Sequence, residues 1–282
     1  MAAVQRKRAS SQPIDHRTSG NLDLSYRTPL SVRSYDAFNA LAARRAAPFF
    51  VAQANKFGSP VLELGAGTGL ISWEVAAAGF DIVAIDLSAP MLEQAEVKRT
   101  YYDREIGNRI EFIHADMVKL ALDRRFSLVI LPGRAFQHLT TPQEQRAVLS
   151  NIAEHLDPGG GLVMNMFDPD LLLCLPGTRP PSDEELAHDP ASGRCFRRNF
   201  QSRETDPQRQ LFSETIRIDA LDSTKRVIES EETSWSLRWS YQQEMHYLLE
   251  LAGFTVEALY SDFIGSPPAY GLEQVWIARR GK

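Results

Sequence analysis

Apolar residues along this chain follow two periods. Short continuous runs occur at Val61-Leu62-Glu63-Leu64, Asp81-Ile82-Val83-Ala84-Ile85-Asp86, residues 110–117, Phe126-Ser127-Leu128-Val129-Ile130-Leu131 and residues 162–167. Runs of this length, rich in Val, Ile and Leu, predict strands buried on both faces of a parallel sheet. Helical spacing separates them. Residues 71–78 predict a helix that stops at Gly79. Ser88 has the form of an N-cap, with Pro90 in the first turn of a following helix. Thr141-Pro142-Gln143-Glu144 has the form of a capping box and predicts a helix to Leu156, broken by Asp157-Pro158-Gly159-Gly160-Gly161. Upstream, Tyr35, Phe38, Leu41 and Ala42 recur at helical spacing within residues 31–57, and Pro48 predicts the start of a second short helix over 49–56. Alternating strands and helices predict an α/β fold: a doubly wound, mostly parallel sheet.

The pattern changes after residue 170. Residues 171–193 are rich in Pro and Gly and predict a loop. Three β-rich runs follow, over 195–204, 210–218 and 225–235, with Asp206-Pro207 and Asp222-Ser223 as turn signals between them. They predict an inserted antiparallel β-meander over the active-site edge. Its aromatic residues Phe196, Phe200, Phe212, Trp235 and Trp239 suit a substrate pocket, a homodimer contact or plain packing. Ser240-Tyr241-Gln242-Gln243 opens a helix in the same capped style, which ends at Ala252-Gly253. Residues 254–260 and 274–278 predict two final strands, paired antiparallel at the sheet edge. The chain thus divides into a mobile polar arm (1–28), a core (29–170), an insertion (171–239) and the rest of the core sheet (240–282).

Composition narrows the function. The 282 residues are 43% hydrophobic and 24% charged, with a net charge of -5. That balance favours a small-molecule or protein substrate, and no nucleic-acid partner is expected. No apolar run reaches the roughly 18 residues that a membrane span needs, so no membrane partner is expected. Arg6, Lys7 and Arg8 are not followed by the apolar segment of a secretory leader. Cys174 and Cys195 stand apart with no metal-ligand spacing, as expected of free thiols in a cytoplasmic protein with no metal.

The strand-to-helix turn Gly65-Ala66-Gly67-Thr68-Gly69-Leu70 carries the most specific chemistry. Glycines there let backbone approach a ligand closely. No Lys-Ser/Thr pair follows, which excludes a Walker loop. Leu70 stands where a dinucleotide fingerprint needs Gly or Ala for close helix–strand packing. Glu63, just before the turn, repels a pyrophosphate but suits a cationic ligand. Asp86 lies about twenty residues on, where doubly wound sheets set an acid against ribose hydroxyls.

In this order the segments resemble the class I S-adenosylmethionine (SAM)-dependent methyltransferases. Glu63, Gly65, Gly67 and Gly69 match the family's E-x-G-x-G-x-G motif, and Ile85-Asp86-Leu87-Ser88-Ala89-Pro90-Met91-Leu92 extends the likeness. So do Asp116-Met117 at the third strand end, the Leu156 to Gly160 turn and the Leu-Leu-Glu-x-Ala-Gly-Phe helix end at 248–254. The resemblance covers roughly residues 35–167 and 240–280. It implies a Rossmann-like, seven-stranded methyltransferase fold and SAM as cofactor, leaving as S-adenosylhomocysteine. It implies cofactor contacts from Glu63, Gly65, Ala66, Gly67, Gly69, Asp86, Leu87, Met91 and Leu131, with Asp116 on the adenine amino group and Met117 on its ring. The insertion is similar to those of small-molecule N- and O-methyltransferases.

The acceptor side is less defined. Pro132-Gly133-Arg134-Ala135-Phe136-Gln137-His138-Leu139 follows the fourth strand, where parallel sheets face a ligand. His138 is the candidate general base, or a packed histidine where the next helix begins. Arg134 is a candidate clamp for an acidic substrate group, or a solvated residue. Tyr35 is a candidate for orienting a substrate amine, or core packing. The Asp/Asn-Pro-Pro-Tyr/Phe motif of methyltransferases acting on nucleic-acid or glutamine amino groups is absent after the fourth strand. The expectation is methyl transfer to N or O of a small molecule. Rival readings are a catalytically silent SAM-binding scaffold, a methyltransferase acting on protein or RNA, and a nucleotide-linked oxidoreductase.

Overall fold

Strand β1 (Val61–Leu64) is buried at all four positions and sits between two parallel neighbours, β2 (Ile82–Asp86) and β4 (Phe126–Leu131). The computed structural model describes residue 26 and residues 28–172, 174–177, 184–190 and 192–281. The arm expected over 1–28 lies almost wholly outside the described residues. With β3 (Ile110–His114), β5 (Leu156–Phe167), β10 (Phe254–Tyr260) and β11 (Glu273–Arg280), these strands form a seven-stranded sheet in the order β10-β11-β5-β4-β1-β2-β3. Only β11 runs against its neighbours, β5 and β10.

Strand alternation splits the core into two layers. Leu62, Leu64, Val83, Ile85, Val129 and Leu131 face one side, packed with Val148 and Leu149 of α5 (Pro142–His155) and Met245 and Leu249 of α6 (Gln242–Leu251). Val61, Ile82, Leu128 and Ile130 face the other, under α1 (Pro29–Phe57) and α2 (Ser72–Ala77). Two apolar faces explain why these strands read as continuous runs.

Several local expectations hold, others fail for physical reasons. Thr141 and Glu144 form both halves of the capping box at α5. Ser88 caps α3 (Ala89–Val97) through the Met91 N–H, and a single turn, α4 (Arg104–Gly107), precedes β3. Pro48 does not break the N-terminal segment. It lies inside one 29-residue helix, where burial of Ala46, Ala47, Phe49, Phe50 and Ala54 holds both halves in line. Packing overrides propensity there. The third strand ends at His114, before Asp116, and β5 begins at Leu156, six residues upstream of the expected start, because Leu156 pairs with Phe126. Helix α6 has no side-chain cap, since the Ser240 hydroxyl accepts from Arg238 instead.

The insertion forms a separate four-stranded antiparallel sheet: β6 (Glu184–His188), β7 (Cys195–Asp206), β8 (Leu211–Leu221) and β9 (Val227–Arg238). Strand β6 falls in the stretch expected as loop. Asp206 and Asp222 close the two hairpins by accepting backbone N–H bonds, as their turn chemistry predicts. Phe196, Ile216, Ile218 and Ala220 of this sheet pack on Leu30, Ala37 and Phe38 of α1. Phe212 and Trp239 pack together with Cys174.

Candidate active site

A cleft of about 2720 Å³ opens at the carboxyl ends of the parallel strands, between them, α1 and the inserted sheet. The glycine turn forms its floor. Gly65 and Gly67 take left-handed backbone, with φ of 75° and 55°. A Cβ on Gly65 would come within 2.7 Å of the Ala135 Cβ, and one on Gly67 within 3.2 Å of the Met91 Cε. Gly65 therefore needs glycine twice over, for conformation and for space, and Gly67 needs it for conformation. Gly69 does not reach the cleft; it packs against Trp73 and Phe112.

Asp86 ties the turn down. Its Oδ2 accepts from the Gly67 N–H at 2.7 Å and its Oδ1 from the Ser88 N–H at 2.8 Å. Each oxygen keeps a further lone pair for a ligand hydroxyl. Burial pushes this carboxyl above its usual pKa, against the pull of those two N–H groups and of nearby His138 and His114. Glu63 is 1% exposed, and its Oε2 accepts from the Ser72 hydroxyl at 2.5 Å. Burial pushes it up to about 8, only partly offset by Ser72. The sequence expectation treated Glu63 as a standing charge; in the fold it shares its proton near neutrality and anchors the start of α2.

Asp116 Oδ1 accepts from the Val118 N–H at 2.9 Å and caps a short 3-10 turn, with Met117 beside it on the cleft wall. Ala66, Leu87 and Met91 also line the cleft. Leu131, expected at the cofactor, is wholly buried in the core, and the wall begins at Pro132. The reason is register: Leu131 is the last residue of β4, and its side chain points into the α5 layer.

A set of residues that the sequence reading missed fastens α1 over this floor. Asp36 Oδ1 accepts from the Thr68 hydroxyl at 2.5 Å, and Lys98 Nζ reaches Asp36 at 2.5 Å and the Thr68 carbonyl at 2.9 Å. Asp36 beside Tyr35 was the available signal, but Lys98 has no motif. Tyr35 lies next to Gly67 and meets Tyr26 edge-on at 5.5 Å. Burial, with Tyr26, Asp86, Asp36 and Glu63 around it, drives the Tyr35 phenol far above its ordinary pKa. It is a neutral hydroxyl, able to donate and accept, and not a base.

His138 sits on a 3-10 turn, Ala135–His138, with its ring 5.7 Å from Tyr26 and close enough to Asp86 to act on its charge. Arg134, in left-handed backbone at φ 66°, does not face the cleft as an open clamp. Its guanidinium pairs with Glu273 Oε1 and lies 5.7 Å from the Phe167 ring centre. Asn165 Nδ2 donates to the other oxygen, Glu273 Oε2, at 3.0 Å. Neither Glu273 nor Asn165 was foreseen. Among the described residues, no group of three or more His, Cys, Asp or Glu is arranged to hold a metal ion. No described helix is long and apolar enough to cross a membrane.

Residues 61–160 match a family model described as a methyltransferase domain. The chain is 38% identical over 112 residues to the cypemycin N-terminal methyltransferase of a Streptomyces species, covering 40% of this chain and 43% of that protein. It is 30% identical over 128 residues to the glycine/sarcosine N-methyltransferase of Aphanothece halophytica, covering 44% and 47%. The chain thus spans about half the length of the curated relatives it matches. The solved structure of the CcbJ methyltransferase from Streptomyces caelestis superposes with a TM-score of 0.69 at 21% identity, over 84% of this chain and 90% of that one. That likeness extends the shared fold, inserted sheet included, beyond the matched segment.

Proposed function

We propose, from the match of residues 61–160 to a methyltransferase domain, that this chain transfers a methyl group from SAM to a nitrogen or oxygen of a small molecule. The observation that carries the reading is the glycine turn held by Asp86. It sets Gly65, Ala66 and Gly67 along the cleft beside a carboxylate for two hydroxyls, and the N–H groups of those three residues are already taken within the chain, which leaves them unavailable to a pyrophosphate. On this reading Gly65, Ala66 and Gly67 take the amino-acid end of SAM, with Glu63 behind them. Asp86 takes the ribose, Leu87 and Met91 pack beside it, and Asp116 with Met117 takes the adenine.

SAM supplies the reactive sulfonium methyl. The chain's part is alignment and exclusion of water. Helix α1, pinned through Asp36, Thr68 and Lys98, closes the cleft from above. Tyr35 offers a neutral hydroxyl beside Gly67, and His138 stands where it can receive a proton from the acceptor side. Arg134 holds Glu273 in place; it does not grip an acidic substrate.

Turnover with methyl-labelled SAM tests this. Label should pass into the small-molecule fraction of a cell extract when the chain is added. Label in the protein or RNA fraction would replace the substrate class. No transfer to any fraction, with S-adenosylhomocysteine still bound, would leave a silent SAM-binding scaffold.

A further inference from the structure

The wall opposite the glycine turn has an unpaired acceptor. Asn165 is 4% exposed, lines the cleft, and its Oδ1 has no hydrogen-bond partner. Its orientation is fixed, because only the Nδ2 can face the Glu273 carboxylate. A buried carbonyl left unpaired forfeits its bond to water without replacing it, so the site is built to be completed by a donor. Glu273 lies beside it: Asn165 pairs with Val275 across the β5–β11 ladder, and Glu273 is the residue two positions along. Oε1 takes Arg134 and Oε2 takes Asn165, which leaves further lone pairs toward the cleft.

Register sets the distance from the cofactor side. Glu63 pairs with Ile130 and Leu131 with Met164, so Asn165 is level with Gly65, two strands away. Two strand spacings are about 10 Å. That places Asn165 and Glu273 beyond the amino-acid end of a SAM bound on the turn, where an acceptor must stand.

We propose that Asn165 and Glu273 select a primary amine as methyl acceptor, an inference that rests on the methyltransferase reading above. A neutral primary amine has two N–H bonds and one lone pair. One N–H donates to Asn165 Oδ1 and the other to Glu273, and the lone pair is left aimed back at the methyl group. A hydroxyl has one donor and fills only one of the two acceptors. A carboxylate has none and meets Glu273 with like charge. In the step itself the nitrogen lone pair forms the new N–C bond as the C–S bond breaks. The electron pair of that bond goes to sulfur, which becomes a neutral thioether, and the ammonium product then releases one proton to water. Arg134 holds the Glu273 carboxylate in orientation; it is a positioning residue.

The test uses the full chain saturated with S-adenosylhomocysteine, with the Asn165 side-chain amide followed by NMR. Benzylamine, at a pH where it is mostly the neutral base, and benzyl alcohol are the probes. Benzylamine should shift the Asn165 amide and bind several-fold more tightly than benzyl alcohol. Asn165→Leu should weaken benzylamine about fivefold, the equivalent of one neutral hydrogen bond. Its melting temperature should hold, because the change also removes an unpaired carbonyl. Glu273→Gln, which keeps an acceptor for Asn165, should weaken benzylamine while leaving S-adenosylhomocysteine affinity unchanged. Equal affinity for the two probes, or no loss in either variant, would overturn the assignment. Failure to bind S-adenosylhomocysteine at all would instead sink the methyltransferase reading.

Discussion

The two walls of the cleft are finished to different degrees. On the glycine side the acidic side chains already have partners within the chain. Asp86 holds two N–H groups, Glu63 holds Ser72, and Asp36 holds Thr68 and Lys98. On the far side the buried carbonyl of Asn165 lacks a partner. A wall with its bonds made is rigid before the ligand arrives. A wall with bonds missing takes its completion from the ligand. The first suits a cofactor of fixed shape, the second a substrate that must be chosen.

Substitutions can break this contrast, and the largest effect belongs to the floor. Gly65→Val drives a branched side chain into Ala135 and out of left-handed backbone. Calorimetry should detect no S-adenosylhomocysteine binding, and the melting temperature should fall. Asp86→Ala comes next. It removes two charge-assisted ligand bonds, each worth about 1.5 kcal/mol or more, so affinity should drop roughly 100-fold or further. Retained affinity would mean that the glycine turn is not the cofactor site.

Lys98→Met leaves Asp36 without its cation. Both groups are partly exposed, with side chains 12% and 27% accessible, so the loss is modest. Denaturant unfolding should show about 1–3 kcal/mol, and cofactor affinity should fall with it if α1 closes the cleft. A further effect concerns pH. Burial raises Glu63 from its usual 4.5 to about 8, so the folded chain keeps a proton that the unfolded chain has released. Its contribution to stability is full below about 4.5 and is lost as pH rises through about 8. Glu63→Gln keeps an acceptor for Ser72 and should flatten that decline, melting higher than the parent at pH 8 and no higher at pH 4. A parallel shift at both pH values would show that Glu63 does not carry the proton.

Much of the glycine wall was legible in the sequence because its parts are local. A strand, three glycines and an acid at the next strand end follow one another in the chain, and the α/β alternation fixes their geometry. The capping box at Thr141 and the Asp turns at 206 and 222 were legible for the same reason. Pro48 misled because a local breaker was outweighed by burial along α1. Strand β6 was missed because the Pro and Gly residues on either side of it marked the whole stretch as loop, and only pairing with β7 extends Glu184 to His188 as a strand. Leu131 was expected at the cofactor because a resemblance in sequence does not say at which residue a strand leaves the core. Asn165 and Glu273 were invisible for a deeper reason. They stand 108 residues apart and meet only because β11 runs antiparallel to β5.

The central claim is that this turn holds SAM and not a dinucleotide. One calorimetric series on the full chain, with S-adenosylhomocysteine in one syringe and NAD in another, tests it most directly. The account predicts saturable binding of S-adenosylhomocysteine, abolished by Gly65→Val, and no heat from NAD. Binding of NAD with none of S-adenosylhomocysteine would contradict it.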